Sequence, residues 1–269
     1  DDGSLYIVME LLEGKNRNQT VRTEGPMPLE RAVAIFSQVC PALEEAHRAG
    51  ILHRDLKPEN IFLCQAAGMR DFAKVLDYGL AKVTEREMRP GSIALTQEGM
   101  VFGTPEFMSP EQAQGKKLTP ASDIYSLAVI LYQLLSGRTP FDAEGTVGLL
   151  LKHVHDPPPP LAGLPGCESL PMEVCNLVMV CLDKSPEKRP ADGRSFGAAL
   201  VRVARESGIV VAGADRFDEP HETSDSPLVR PSGAAFVAPT LDDTGTRLPE
   251  AAPVTNERPP RSTSFGTLA

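Results

Sequence analysis

The sequence is short of the features that would take it out of the ordinary globular class. No run of about 18 apolar residues occurs, so no segment reads as a membrane span. Basic residues are outnumbered, 27 against 36 acidic, for a net charge of −9. That balance excludes broad electrostatic binding to nucleic acid or to an anionic membrane surface. Cysteine is scarce: five residues, an odd number, with no Cys-x-x-Cys pair. Buried free thiols in a reducing compartment are the reading, rather than a disulfide framework or a zinc site. There is no initiator Met and no basic leader. "DDGSLYIVME" passes from an acidic start straight into a strand-like run, the pattern expected of a chain cut open in mid-domain.

What is present suffices for a core. The chain has 269 residues, 41% of them hydrophobic, room for one large domain or two modest ones. "SLYIVMELL" reads as a buried strand that runs into a connector at Glu13-Gly14. From Pro28 to about Arg48 the apolar positions Phe36, Val39, Cys40 and Leu43, with His47, fall on one face of a 3.6-residue period. Pro41 lies inside that helix and Gly50 ends it. "NIFLC" and "FAKVLD" flank a loop at Gln65 to Asp71, a hairpin pattern. Residues 79–120 hold five Gly and four Pro without strong periodicity and read as a long functional loop. Ser122 to Ser136 is apolar all round, as in a helix buried at a domain centre. Further helices are expected over Thr146 to His155, Pro171 to Asp183 and Ser195 to Arg205, with a stiff proline run at Pro157 to Pro160. After about Gly208 the composition turns to Pro, Ser, Thr and acid, and residues 208–269 are expected to be a disordered tail.

One stretch concentrates chemistry. "ILHRDLKPENIF" packs Asp55, Lys57 and Asn60 into six residues, and Asp77 follows at the end of a strand. Phosphoryl transfer needs a base for a hydroxyl, hard oxygen ligands for Mg²⁺ and a cation beside the transferred group. An Asp, an Asn with a second Asp, and a Lys are residue types that meet those needs.

Here the chain resembles the bacterial eukaryotic-like (Hanks-type) serine/threonine protein kinases. "HRDLKPEN" matches their catalytic loop, and "LDYGLAK" their Asp-Phe-Gly segment, with Tyr78 in place of Phe. "GTPEFMSPEQ" is similar to the end of their activation segment and "SDIYSLAVILYQLLSGRTPF" to their central helix. "CLDKSPEKRP" resembles their last motif, and "YIVMELLEG" the strand and hinge between the lobes. Six motifs in family order cover roughly residues 4–206. The resemblance implies an α+β protein-kinase-like fold: a mainly helical C-lobe over residues 1–207 with hinge and short β-hairpin, most of the N-lobe being absent.

The same resemblance implies roles. Asp55 is the expected catalytic base, Lys57 the cation beside the phosphoryl group, and Thr104 the residue holding both. Asn60 and Asp77 are the expected Mg²⁺ ligands. Glu10 and Leu12 would meet the adenine of ATP through their backbone, below a gatekeeper at Met9 and above a floor at Phe62. Asp123 would anchor the catalytic loop, and Glu111 with Arg189 would form a buried ion pair. Arg54 marks the type in which activation-segment phosphorylation matters, and Thr96 is the expected phosphosite. His53 and Tyr78 are expected to be structural. The expected partners are proteins with Ser or Thr, not nucleic acid, and the expected compartment is the cytoplasm, free or as part of a membrane-anchored parent.

The family also needs a Gly-rich loop, a strand Lys and a helix Glu, and none precedes His53. The fragment is therefore expected to be inactive alone. Where relatives carry a Leu-rich helix after the hinge, this chain has Arg17 and Asn18. The alternative reading is a non-catalytic kinase-like module that holds a partner in the groove around Pro105 to Glu111.

Overall fold

The computed structural model describes residues 10, 12, 14–16, 25–66, 68–78, 104–211 and 214–217. All lie in one compact unit, Asp1–Pro220. Met9, Arg17, Asn18, Thr96 and the tail from residue 218 fall outside the described residues, as does the expected strand over Ser4–Leu12 apart from Glu10 and Leu12, which carry no strand.

Three strands form an antiparallel sheet in the order β1-β2-β3: β1 Gly14–Asn16, β2 Ile61–Ala66 and β3 Met69–Val75. The hairpin runs in register Ile61↔Val75, Phe62↔Lys74, Leu63↔Ala73, with a shift between Cys64 and Ala66. The strands run further into the expected Gln65–Asp71 loop than the sequence suggests, because backbone pairing continues to Ala66↔Met69. The Gly14 connector is also strand, paired to β2 through Lys15↔Leu63. Its partner is remote in sequence, so no local pattern marks it.

The helix α1 spans Leu29–Arg48, with Glu30 in its first turn and His47 and Arg48 in its last, both favourable to the helix dipole. Its apolar stripe, Val33, Phe36, Val39, Cys40 and Leu43, is fully buried. Gly50 leaves it at φ +74, and the Ile51 amide reaches back to the Ala46 carbonyl at 2.8 Å. α1 covers the free edge of β3 with side chains. Gln38 donates to the Asp71 carbonyl (2.9 Å) and accepts from the Ala73 amide (3.1 Å), so one amide stands in for a missing strand. Arg31 grips the Asp71 carboxylate with two bonds, 2.7 and 3.0 Å.

The region expected to be loop throughout contains helical turns. A 3₁₀ turn at Pro105–Phe107 leads to the short helix α2, Pro110–Ala113. Ser109 and Gln112 close a capping box at its start. Four residues are too few to show a period, so only the cap signals this helix. α3, Pro120–Ser136, starts at a second capping box, Thr119 with Ser122, and stops at Gly137 in the left-handed region. Every residue from Ala121 to Tyr132 is buried, which makes α3 the axis of the lobe.

α4 (Thr146–His155), α5 (Met172–Cys181) and α6 (Gly193–Glu206) complete the layer around it. α6 starts two residues earlier than the sequence suggests, because Asp192 caps it by accepting from the Ser195 amide at 2.8 Å. α6 also lies close on α1. A Cβ on Gly193 would fall 2.6 Å from the Cys40 carbonyl oxygen. The packed chain continues past residue 207, the expected end of the kinase part: Ile209 is buried and Phe217 packs against the core beside Gly197. All five cysteines are free and buried, and burial pushes the Cys40 and Cys181 thiols far up. Among the described residues no helix is long and apolar enough to cross a membrane.

Candidate active site

The loop from His53 to Asn60 connects α1 to β2 across the top of α3. Pro58 opens a 3₁₀ turn, Pro58–Asn60, that delivers the chain into β2. The loop is pinned from below by one buried carboxylate. Asp123 on α3 accepts from the His53 amide (2.8 Å) and the Arg54 amide (2.9 Å). It also accepts from His47 Nε2 at 2.9 Å. The other ring nitrogen of His47 receives the Gly193 amide at 3.4 Å, which ties the end of α1 to the start of α6. Three donors on one carboxylate offset its desolvation. Asp123 thus holds both amides at the head of the loop.

His47, which the helical period puts on the buried face of α1, is the third partner of Asp123. A polar residue on an apolar stripe was the available signal. His53 is fully buried, and burial holds its imidazole below the ordinary value. Its Nε2 lies 2.8 Å from the Leu76 carbonyl and so carries the proton and donates. The Tyr78 ring lies tilted against it at 5.0 Å, and burial, then the Asp123 charge, pushes the phenol up to about 12. Both residues are supports of the loop and strand end.

On the outer side of the loop, Lys57 donates to Asp55 Oδ2 at 2.8 Å. Thr104 Oγ approaches the other oxygen, Oδ1, at 3.5 Å, a long contact. Both side chains of the Asp55–Lys57 pair remain partly open, 33% and 25% exposed, so the carboxylate can be reached from solvent. Asn60 is buried and donates its Nδ2 to the Asp55 carbonyl at 2.9 Å. That bond leaves Oδ1 as the free atom of its amide. The Leu76 amide donates to the Asn60 carbonyl at 2.8 Å, bringing the strand end that carries Asp77 alongside Asn60. Asp77 is exposed and sits at φ +56, a left-handed conformation unusual for a residue other than glycine.

Beside the loop and the sheet lies an open cleft of about 770 Å³. Its lining includes Glu10, Leu12, Phe62, Lys74, Asp77 and Tyr78. Glu10 is engaged by its carboxylate, which pairs with Lys74 across the cleft wall. Apolar walls with a few polar groups suit a flat heterocycle. Asp77 belongs to this lining and Asn60 does not; an amide oxygen with a carboxylate is a donor set that suits a hard divalent cation. Among the described residues no three His, Cys, Asp or Glu side chains gather into a metal cluster.

Below the loop, Arg189 reaches Glu111 on α2 by two bonds, Nη1 to Oε1 at 2.8 Å and Nη2 to Oε2 at 3.0 Å. The same guanidinium donates to the carbonyls of Ala121, Asp183 and Lys184 and lies over the Tyr125 ring at 4.8 Å. The expected buried pair is present with every donor direction used. Of the residues expected at the site, Asp55, Lys57, Thr104 and Asn60 share direct contacts, and Phe62, Glu10, Leu12 and Asp77 line the cleft.

The protein kinase domain model matches residues 1–198. The chain is 45% identical over 208 residues to serine/threonine-protein kinase pkn3 of Myxococcus xanthus, covering 77% of this chain and 37% of that protein. It is 37% identical over 198 residues to PknA of Mycobacterium tuberculosis, covering 74% and 42%. The chain thus spans well under half the length of these relatives. In structure it is similar to the crystal structure of the Mycobacterium tuberculosis PknI kinase domain, with a TM-score of 0.54 and 22% identity over 73% of this chain and 64% of that one, a likeness of fold. With the pinned loop, the hairpin and the central buried helix in place, the chain belongs to the protein kinase domain family, among its bacterial serine/threonine members.

Proposed function

We propose that this chain carries the catalytic loop and substrate-facing half of an ATP-dependent kinase that phosphorylates Ser or Thr of other proteins. The observation that carries the reading is the Asp55 carboxylate, partly open to solvent and held by Lys57 at 2.8 Å over a loop pinned to Asp123. In this reading Asp55 Oδ accepts the proton of the substrate hydroxyl as that oxygen attacks the γ-phosphorus of ATP, whose bond to the β–γ bridging oxygen breaks so that ADP leaves with the electron pair. Lys57 lies next to Asp55 and faces the negative charge on the transferred group. Thr104 keeps the carboxylate turned toward the pair. Asn60 Oδ1 and Asp77 would hold Mg²⁺, which when bound neutralises phosphate oxygens. The adenine would lie in the cleft on Phe62, meeting the backbone at Glu10 and Leu12 below Met9. Arg54 would receive a phosphate on Thr96. The kinase part would comprise residues 1–207 with the packed extension to Phe217, and the tail would follow it.

The test is transfer of labelled phosphate from ATP to Ser/Thr peptides by the protein that carries this chain. Asp55→Asn should lower the rate by about 100-fold or more, the usual scale for a lost general base. Full activity in that variant, or label found on tyrosine alone, overturns the proposal.

A further inference from the structure

Two non-glycine residues among those described have a left-handed backbone, and one of them, Arg54 at φ +66, immediately precedes Asp55. Such a conformation is costly for a side chain with a Cβ and lasts only where the surroundings over-determine it. The amide side of Arg54 is held by Asp123 Oδ1 at 2.9 Å. Its carbonyl side is held by a residue from a different element. Gln112 of α2 donates its Nε2 to the Arg54 carbonyl at 2.6 Å.

The orientation of that side-chain amide follows from its other contacts. Gln112 Oε1 lies 3.1 Å from both the amide nitrogen and the hydroxyl of Ser109. The hydroxyl also accepts from the Gln112 amide at 3.3 Å, as a capping box requires. The Ser109 amide can only donate, so the oxygen must face Ser109 and the NH₂ must face Arg54. Gln112 is itself buried, and its neighbour Glu111 is locked to Arg189. The donor that reaches Arg54 therefore projects from a short helix fixed at both its cap and its second residue.

The bonded carbonyl belongs to the peptide whose nitrogen is that of Asp55. The next carbonyl, that of Asp55, is bonded by Asn60. The base residue therefore sits between two gripped peptides, one held from the loop itself and one from α2. We propose that Gln112 is a positioning residue: by locking the Arg54–Asp55 peptide it sets the direction of the Asp55 carboxylate and couples the end of the activation segment to the catalytic loop. Rotation of that peptide would swing the Asp55 Cα–Cβ bond and break its contacts with Lys57 and Thr104. The positioning role rests on the reading of Asp55 as the base; the grip on the loop does not.

Gln112→Glu separates the grip from the cap. A glutamate still accepts from Ser109 and is a normal capping-box residue, so α2 persists, but it has no N–H for Arg54. Gln112→Met is the second variant, of similar length and uncharged. Two readouts are needed. Amide hydrogen exchange over residues 52–57 in the whole chain should rise roughly tenfold in both variants. In the active protein that carries this chain, kcat should fall about 10- to 100-fold while KM for ATP stays within about twofold. Wild-type exchange over 52–57 in the variants overturns the grip, whatever the activity. Faster exchange with unchanged kcat overturns the positioning role. A wild-type protein without Asp55-dependent transfer would overturn the catalytic reading and the positioning role with it, while the exchange data still decide the grip.

Discussion

Replacing Arg189 by methionine removes a buried cation and leaves its environment nearly filled. In the native protein the guanidinium makes two bonds to Glu111 and three to the carbonyls of Ala121, Asp183 and Lys184. Its side chain is fully buried and that of Glu111 is 4% exposed. Breaking a buried pair by deleting one partner costs about 3–5 kcal/mol, because the other charge is stranded. Against a domain stability of about 5–15 kcal/mol that is a large fraction. The double variant Glu111→Gln with Arg189→Met removes the stranded charge and should regain about half the loss. Recovery stops there, since three carbonyls still lack their donor.

The loss has a definite pH dependence. Burial raises the Glu111 carboxyl, but the bonds from Arg189, its charge and the Ser122 hydroxyl lower it further, so the net shift is downward. A depressed carboxyl contributes stability above its unfolded value, and that contribution disappears as pH falls through the folded value. In Arg189→Met the same carboxyl has burial without a cation, so it rises and accepts a proton early. The gap between wild type and variant should therefore be widest near neutral pH and narrow as pH falls toward about 4. Urea unfolding followed by circular dichroism at the two pH values measures it. A loss below about 1 kcal/mol at neutral pH, the scale of a surface pair, refutes the reasoning. So does a gap that does not change with pH.

Two further outcomes follow from the packing. His153 is fully buried, bonded to the Tyr125 hydroxyl at 2.9 Å, and held down to about 4 by burial and then by the Lys184 charge. Its imidazole should show no NMR titration near neutral pH. As pH falls from the ordinary histidine value toward the folded one, the unfolded chain takes up the proton first, and stability should drop by about 1.4 kcal/mol per pH unit from this group; a transition near the ordinary value contradicts the burial argument. Gly193→Ala places a Cβ 2.6 Å from the Cys40 carbonyl and 2.9 Å from the Glu44 amide, backbone atoms that cannot swing aside. It should destabilise by about 1–3 kcal/mol through overpacking, read as a lowered thermal midpoint; an unchanged midpoint would mean that α6 slides on α1 freely.

Much of the site was legible because its chemistry is local. Asp55, Lys57 and Asn60 lie within six residues, and a loop stiffened by Pro58 keeps them together wherever the rest packs. α3 was legible from composition: a segment apolar on all sides has one stable place, the centre, and every residue from Ala121 to Tyr132 is buried there. α1 was legible from its period and its terminal glycine. The short pieces were not. Gly14–Asn16 is strand only because the edge of β2 offers backbone groups to it, and α2 has too few residues for any period. The loop as partner of Asp123 and Glu111 as partner of Arg189 were expected from family likeness, while His47 on Asp123 was not; nothing in the spacing of the residues announces any of them.

The sequence by itself determined the cluster of Asp55, Lys57 and Asn60, the central helix and the glycine that ends α1, because those depend on neighbours within a turn or two. Only the tertiary structure decided how that cluster is held. His47 meets Asp123 across 76 positions, Glu111 meets Arg189 across 78, and Gln112 meets the Arg54 carbonyl across 58. Buried polar groups must find partners, but which partner each finds depends on how α1, α2, α3 and α6 come together, and that is set by the shape of the whole core.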